Sequence, residues 1–499
     1  MKRVLLGLGI GAACWAPAAV TLPDLFGDHA IVQRAADTAV WGRETPGGRV
    51  EVELGGVTAT ATAGTDGWWR ATLDTRRLAD GPFDLRVKGA ANEVVSKDIL
   101  VGEVWLAAGQ SNMEFTMNGH FGKVWDWEAR VKTCANRPIR MFRAVHGREP
   151  APVKGNARGV WRVVDPTNLG AVTAVGYSFI DTVQKCLGGA AGVVDISWSG
   201  TRCWAWISRA RLDSVPELKA ERIRQEEQTA KGVTVPKPVV MCWNNQFYPV
   251  SQMSLRGVIW YQGCCDSGLP DGIHTYPKWL ALMVDEWRTE MKKPNLPFLY
   301  CQIAGWHRPA ATPAENPGAA KLREGQRRAQ RTIPHSAMAV ILDESEYEIH
   351  GRGKGVAGDR LAALALNRVY GHADVPCRSP DFQSAQFGAD AATLTFETEG
   401  QKLVAHPLRT SYTWSAKSNE VIRVERRSSP TSPLEGFTIR DGEGRWHWAD
   451  AQITGEATVK VWAKGAKNPT AVRYAWGMQG FGNLYSAAGF PASPFTTEE

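Results

Sequence analysis

Apolar and polar positions change rhythm twice along this chain, and the changes mark its regions. From about Thr21 to Asp98 the period is two: Val50, Val52 and Leu54 alternate with polar residues, as do Phe83, Leu85 and Val87, between breaks such as Thr45-Pro46-Gly47-Gly48. That alternation predicts short strands with one buried face, hence a small β-sandwich over residues 19–100. From Val101 onward mainly apolar runs of strand length, at 104–108, 193–197, 257–261, 298–302 and 337–342, alternate with segments apolar at helical spacing, notably 276–291 and 355–370. Strands buried on both faces and separated by helices predict an α/β domain with a mainly parallel sheet, assigned to residues 101–375. After Pro376 the period returns to two, as at 459–462 and 472–476, so residues 376–499 form a second β-rich region.

The first 18 residues follow another pattern. Lys2-Arg3 precede the apolar run 4–15, and Ala16-Pro17-Ala18 supplies small residues, the order of a secretory signal peptide. Export to a secreted or periplasmic location is the expectation, with lipidation at Cys14 the lesser alternative because Gly11 stands where a Leu-like residue is wanted. No later stretch is apolar for long enough to span a bilayer as a helix.

Composition adds little that changes this picture. The 499 residues are 43% hydrophobic and 22% charged, as expected of a globular protein of two or three domains. The net charge of +7 falls to +5 without Lys2 and Arg3, and the charges are interleaved. The densest basic run, Arg323, Arg327, Arg328 and Arg331, sits on a predicted helix and is read as a solvated or locally paired face, not a nucleic-acid surface. Nine cysteines include no Cys-x-x-Cys spacing, so no structural zinc site is expected. The 21 tryptophans are assigned mostly to cores.

The candidate chemistry begins where the run 104–108 meets Gly109. A glycine permits a tight turn there, which presents Ser111 at the carboxyl end of a buried strand, the edge where open α/β sheets bind ligands. A Gly-x-Ser by itself is a common turn. The wider block Val104-Trp105-Leu106-Ala107-Ala108-Gly109-Gln110-Ser111-Asn112-Met113, however, resembles the nucleophile block of the sialate O-acetylesterase family within the SGNH hydrolases. Matching segments run from Phe26-Gly27-Asp28-His29-Ala30-Ile31-Val32-Gln33-Arg34 to Pro491-Ala492-Ser493-Pro494-Phe495-Thr496-Thr497.

The resemblance implies an SGNH-hydrolase-like parallel sheet flanked by helices, with β-rich regions at both ends. It implies Ser111 as nucleophile, its backbone N–H serving as the first oxyanion donor. Ser197-Trp198-Ser199-Gly200-Thr201 looks like the family's Trp-Gly-Gly-Thr loop, which makes the Gly200 N–H the second donor; Ser199 replaces the first glycine. Trp260-Tyr261-Gln262-Gly263-Cys264-Cys265-Asp266 resembles Trp-Tyr-Gln-Gly-Glu-Ser followed by Asn or Asp, but Cys264 stands in place of Glu and Cys265 in place of Ser. These vicinal cysteines are read as small buried hydrophobes.

His350 occupies the position of the family's Ile-His-Pro segment, with Gly351 in place of proline, and is the expected general base. Tyr347 stands three residues before it, where many SGNH enzymes have Asp. Glu348 is therefore the expected acid, with Glu346, Asp343 or no strict third member as alternatives. Gln110, Asn244, Gln262, Asp266 and Arg323 are the expected substrate-binding residues, Arg323 as a partner for a sugar carboxylate.

Together these imply an exported serine esterase that removes O-acetyl groups from sialic acids without metal or organic cofactor; acetylxylan or another polysaccharide is the alternative substrate. The rival class is a non-catalytic glycan-binding relative that lost its acid at Cys264, against which Ser111, Gly200 and His350 argue.

Overall fold

The computed structural model describes residues 19–235, 237–406, 412–415, 420–423 and 434–498. The expected leader, with Cys14, lies outside the described residues. At the centre is a seven-stranded sheet made of β1 (Glu93–Gly109), β2 (Ile139–Ala144), β3 (Gly159–Val163), β4 (Ala191–Asp195), β5 (Gly257–Tyr261), β6 (Phe298–Cys301) and β7 (Ser336–Ala339). Its spatial order is β3-β2-β4-β1-β5-β6-β7. Every neighbouring pair is parallel except the edge pair β2 and β3. In register, Val193 of β4 and Ile259 of β5 lie opposite Trp105 and Ala107 of β1. Residues 104–109 of β1 and all of β4, β5 and β6 are buried, as unbroken apolar runs require when helices cover both faces of a sheet.

Two helix pairs flank the sheet. The helices α2 (Ala174–Leu187) and α5 (Lys354–Arg368) pack on each other, as do α3 (Gly272–Glu290) and α4 (Gly318–Thr332). One further helix, α1 (Ser111–Glu114), is a single turn directly after β1. Most tryptophans are core: Trp105, Trp206, Trp260 and Trp287 are fully buried, and Trp105 donates through Nε1 to the Tyr370 hydroxyl at 2.9 Å.

The β-sandwich is joined to this sheet through β1 itself. Its first half pairs antiparallel with Phe83–Lys88, and Leu100, Val101 and Gly102 pair parallel with Ile31–Gln33. The boundary expected at residue 100 thus falls inside one 17-residue strand. At the other end, two four-stranded and two two-stranded antiparallel sheets make up the described part of the C-terminal β-rich region, with Asp381–Phe387 and Phe437–Arg440 among the strands of the larger two.

The basic run on α4 is a paired face that holds this region. Arg327 bonds Glu324 at 2.7 Å and Asp381 at 3.0 Å, Arg331 bonds Asp381 at 2.9 Å, and Arg328 bonds Glu324 at 2.8 Å. Removing one partner of such a buried network leaves charge uncompensated. Asp381→Ala is expected to lower stability by about 3 kcal/mol, measured as a fall in the thermal unfolding midpoint, with loss concentrated at the α4 junction in hydrogen exchange.

Candidate active site

Four loops converge at the carboxyl ends of β1, β4, β5 and β7. The approach of the first two neighbours is set by Gly109, whose φ is 134° and where an added Cβ would lie 2.3 Å from the Tyr261 carbonyl oxygen. That closeness lets the Gln110 N–H donate to the Tyr261 carbonyl at 3.0 Å, while Trp198 N–H donates to the Gly109 carbonyl at 2.9 Å. Ser111 follows as the first residue of α1, 6% exposed. N–H groups in the first turn of a helix have no acceptor within that helix, so the Ser111 amide is available to an oxyanion.

The side chain of Gln110 organises the β5 loop. Its Oε1 accepts from Gln262 Nε2 at 3.2 Å, Gly263 N at 3.1 Å and Cys265 N at 3.2 Å. Gln262 Nε2 also donates to Asp266 Oδ2 at 2.6 Å, and Tyr276 donates to Gln262 Oε1 at 2.9 Å. Asp266 in turn accepts from Cys203 N at 2.9 Å, which ties the β5 loop to the loop after β4. Burial raises the Asp266 pKa to about 6 despite those donors.

The loop after β4 is held from the other side. Glu114 of α1 accepts from Arg143 at 2.6 Å and from the Ser199 N–H. Asp195 accepts from Ser197 N at 2.9 Å and Ser197 Oγ at 2.6 Å. Gly200, next to Ser199, is exposed with φ 73°.

The fourth loop carries His350. Asn112, adjacent to Ser111, donates from Nδ2 to the Ile349 carbonyl at 3.2 Å and contacts Cys264 Sγ at 3.5 Å. This one amide fastens the His350 loop beside the serine. The half-buried imidazole rests on Phe121, ring centroids 4.1 Å apart, and among the described residues it makes no hydrogen bond. Burial, then the charges of Lys354 and His120, lowers its pKa to about 4. Lys354 opens α5 at only 4% exposure. Its ammonium donates to the Gly351 carbonyl and lies 5.0 Å from the Phe115 ring centroid and 5.6 Å from that of Tyr261; burial brings its pKa down to about 8.

Of the nearby acids, Asp343 is bonded to Arg360 at 2.6 and 2.7 Å, and Glu346 accepts from Trp125 at 2.9 Å and Arg352 N at 2.6 Å. Glu348 is half-buried and makes no hydrogen bond or ion pair among the described residues.

The five residues expected to contact substrate are all buried and bonded to neighbouring protein. Gln110, Gln262 and Asp266 form the network beneath the serine described above. Asn244 lies apart from it, donating to the Pro150 carbonyl at 2.9 Å. Arg323 is 0% exposed, with Nη1 3.3 Å from the Met478 carbonyl and Nη2 donating to that of Gly477, so its guanidinium does not face a sugar carboxylate. The residues that sequence reasoning missed, Asn112, Glu114, Arg143 and Lys354, carry no spacing signal; each acts through a long-range contact.

Cys264 is buried and Cys265 half-buried; all eight described cysteines are free thiols. Burial raises the Cys264 pKa to about 12, which keeps it neutral where the resembled family has a carboxylate. Among the described residues no group of three or more His, Cys, Asp or Glu side chains is arranged to hold a metal ion.

A strand-end serine, a histidine-bearing loop fastened beside it and neighbouring backbone amides make up the candidate site. The family of carbohydrate esterases described as sialic acid-specific acetylesterase matches residues 101–363, over half of the chain, and the chain belongs to it. Among curated relatives, a mouse sialate O-acetylesterase is 25% identical over 71% of this chain and 74% of its own length. The human sialate O-acetylesterase is 24% identical over 76% of this chain and 77% of its own. A solved carbohydrate acetylesterase from Xanthomonas citri superposes with a TM-score of 0.80 at 29% identity, covering 96% of this chain and 100% of that one. The protein is thus an esterase of the carbohydrate acetylesterase class.

The histidine environment predicts the acid limb of activity. His350 binds its proton only near pH 4, whereas an unfolded histidine titrates near 6.5. The imidazole therefore stays neutral, able to accept a proton, as pH falls from 7 to about 5, and kcat/KM should hold there and drop with a midpoint near 4. The same shift withdraws stability as pH falls from about 6.5 toward 4, because only the unfolded chain takes up the proton in that window. A kcat/KM profile falling already at pH 6.5 would contradict this environment.

Proposed function

We propose that this protein is an exported sialate O-acetylesterase that works by a serine nucleophile. The observation that carries this reading is the Asn112 bridge to the Ile349 carbonyl, which holds the His350 loop beside Ser111. Ser111 Oγ attacks the acetyl carbonyl as neutral His350 accepts its proton. The N–H groups of Ser111 and Gly200 receive the oxyanion. The imidazolium then returns the proton to the departing sugar hydroxyl, leaving an acetyl-serine that a water molecule, activated by the same imidazole, hydrolyses to acetate.

Glu348 is assigned to orient the imidazole. It is the one nearby acid not already bonded, and catalytic hydrogen bonds often shorten only when substrate binds. The charge pattern of Lys2-Arg3, the apolar run and Ala16-Pro17-Ala18 supports export, with the mature chain starting near Ala19. The named activities of the mouse and human relatives support the sialate substrate.

Acetate release from O-acetylated sialic acid and acetylated xylan by the purified protein tests the substrate. Ser111→Ala is expected to lower kcat by several orders of magnitude with the fold intact. His350→Ala should be nearly as damaging, and the double variant no worse than the poorer single one, since groups acting as a unit are not additive. Losses that multiply would show that His350 does not serve Ser111.

A second comparison tests the acid. A hydrogen-bonded carboxylate stabilises the transient imidazolium, whereas a neutral thiol contributes no charge. Glu348→Gln should thus cost at least about tenfold more activity than Cys264→Ala. A large gain from Cys264→Glu with no loss from Glu348→Gln would overturn the assignment and favour a decayed binding module.

A further inference from the structure

Burial of Arg323 leaves open which cation reads an acidic sugar, and the rim of the site supplies one. Trp198, in the loop that carries Gly200, stacks on His146 with ring centroids 4.3 Å apart and planes 8° from parallel. His146 is fixed in turn, its Nε2 3.0 Å from the Ser197 carbonyl. Above the Trp198 ring, 4.3 Å from its centroid, stands the Lys237 ammonium. The stem of the same side chain passes Gly200 so closely that a Cβ there would be 3.7 Å from Lys237 Cε.

This lysine has no carboxylate within 4.0 Å among the described residues. Glu114, the acid in its neighbourhood, is bonded to Arg143 and the Ser199 amide; Arg148 nearby adds positive charge. Arg202, over the Trp204 ring at 4.9 Å, carries a second cation on the following residues of the loop. A cation–π contact holds an ammonium in place while leaving N–H donors free for an anion, and partial burial strengthens the pairing relative to an exposed one.

The geometry points to Lys237, seated on Trp198 beside Gly200, as the residue that pairs with the carboxylate of an acidic O-acetylated sugar and so sets the preference of this esterase for sialic acid over neutral glycans. The inference rests on the serine-esterase reading above. A sugar whose acetyl carbonyl meets the Gly200 amide lies within one lysine side chain of that ammonium, so one loop would read both the reacting ester and the distinguishing charge.

The test compares acetate release from an O-acetylated sialic acid methyl glycoside with that from its carboxyl methyl ester, which carries the same acetyl group without the charge. The expected wild-type preference for the free acid in kcat/KM is about tenfold, the effect of one charge-assisted pair. That preference should fall toward one in Lys237→Met and in Lys237→Gln, and should remain in Lys237→Arg. It should also shrink as ionic strength rises.

Equal wild-type rates on acid and ester, or an undiminished preference in both neutral variants, would overturn the role of Lys237 and leave the sialate reading standing. Cleavage of acetylated xylan oligosaccharides with neither sialoside cleaved would overturn both.

Discussion

A methyl group at position 109 would press into the Tyr261 carbonyl at 2.3 Å, and the arrangement of the site follows from the absence of that group. With a glycine there, β1 and β5 stay paired to their last residues, Tyr261 opposite Gly109. The turn then opens at the sheet edge and not before it. Gln110 consequently lies where its Oε1 can accept from Gln262, Gly263 and Cys265. Those bonds fix the β5 loop, Asp266 passes the constraint to Cys203, and Asn112 passes it to the His350 loop. Catalysis by the proposed serine mechanism needs its parts held within fractions of an ångström before substrate arrives, and buried amides hold these loops together.

Beneath the histidine lies an unusual distribution of charge. Lys354 and Arg323 are both buried, and Cys264, standing where the resembled family has glutamate, is kept a neutral thiol by burial and offers them no charge. Burial lowers their pKa values to about 8 and about 10. Backbone carbonyls take the place of the missing anion: Gly351 accepts from Lys354, and Gly477 and Met478 accept from Arg323. Carbonyl dipoles satisfy donors without neutralising charge, so the positive field persists at the histidine, and Lys354 contributes to keeping His350 unprotonated. Burial, with the Lys354 charge added to it, thus leaves the His350 imidazole free of its proton well below neutral pH.

Rhythm and motif made much of this legible. The runs at 257–261 and 298–302 became β5 and β6 almost to the residue, because short apolar runs between helices have few other uses. The helix expected at 355–370 became Lys354–Arg368. Polar partners were less legible. Ser111, Gly200 and His350 stand in loops that follow the carboxyl ends of strands, but Gln110, Gln262, Asp266 and Arg323 are of the same residue types whether they face a sugar or a carbonyl. Burial separates those cases, and it depends on packing between segments far apart in sequence. Arg323 illustrates the point, since its acceptors lie more than 150 residues away. Lys354 likewise reads as a solvent-facing helix residue until Phe115 and Tyr261 are seen to enclose it.

Those distant acceptors also bear on how the regions of the chain depend on one another. The sandwich shares β1 with the central sheet, so its strand pairing extends into the strand that leads to Ser111. The C-terminal region meets the same sheet through α4, whose Arg327 and Arg331 grip Asp381 on its outer side while Arg323 reaches Gly477 and Met478. Gly305, in the loop after β6, packs against the Gln479 carbonyl so tightly that a Cβ would lie 1.4 Å from it, and its N–H donates to Ser345 Oγ at 2.8 Å, in the loop leading to His350. A displacement of the C-terminal sheets would therefore move both the Arg323 charge and the His350 loop. Sequence periodicity divides this chain into three regions, but the hydrogen bonds that position Ser111 and the His350 loop run through all of them.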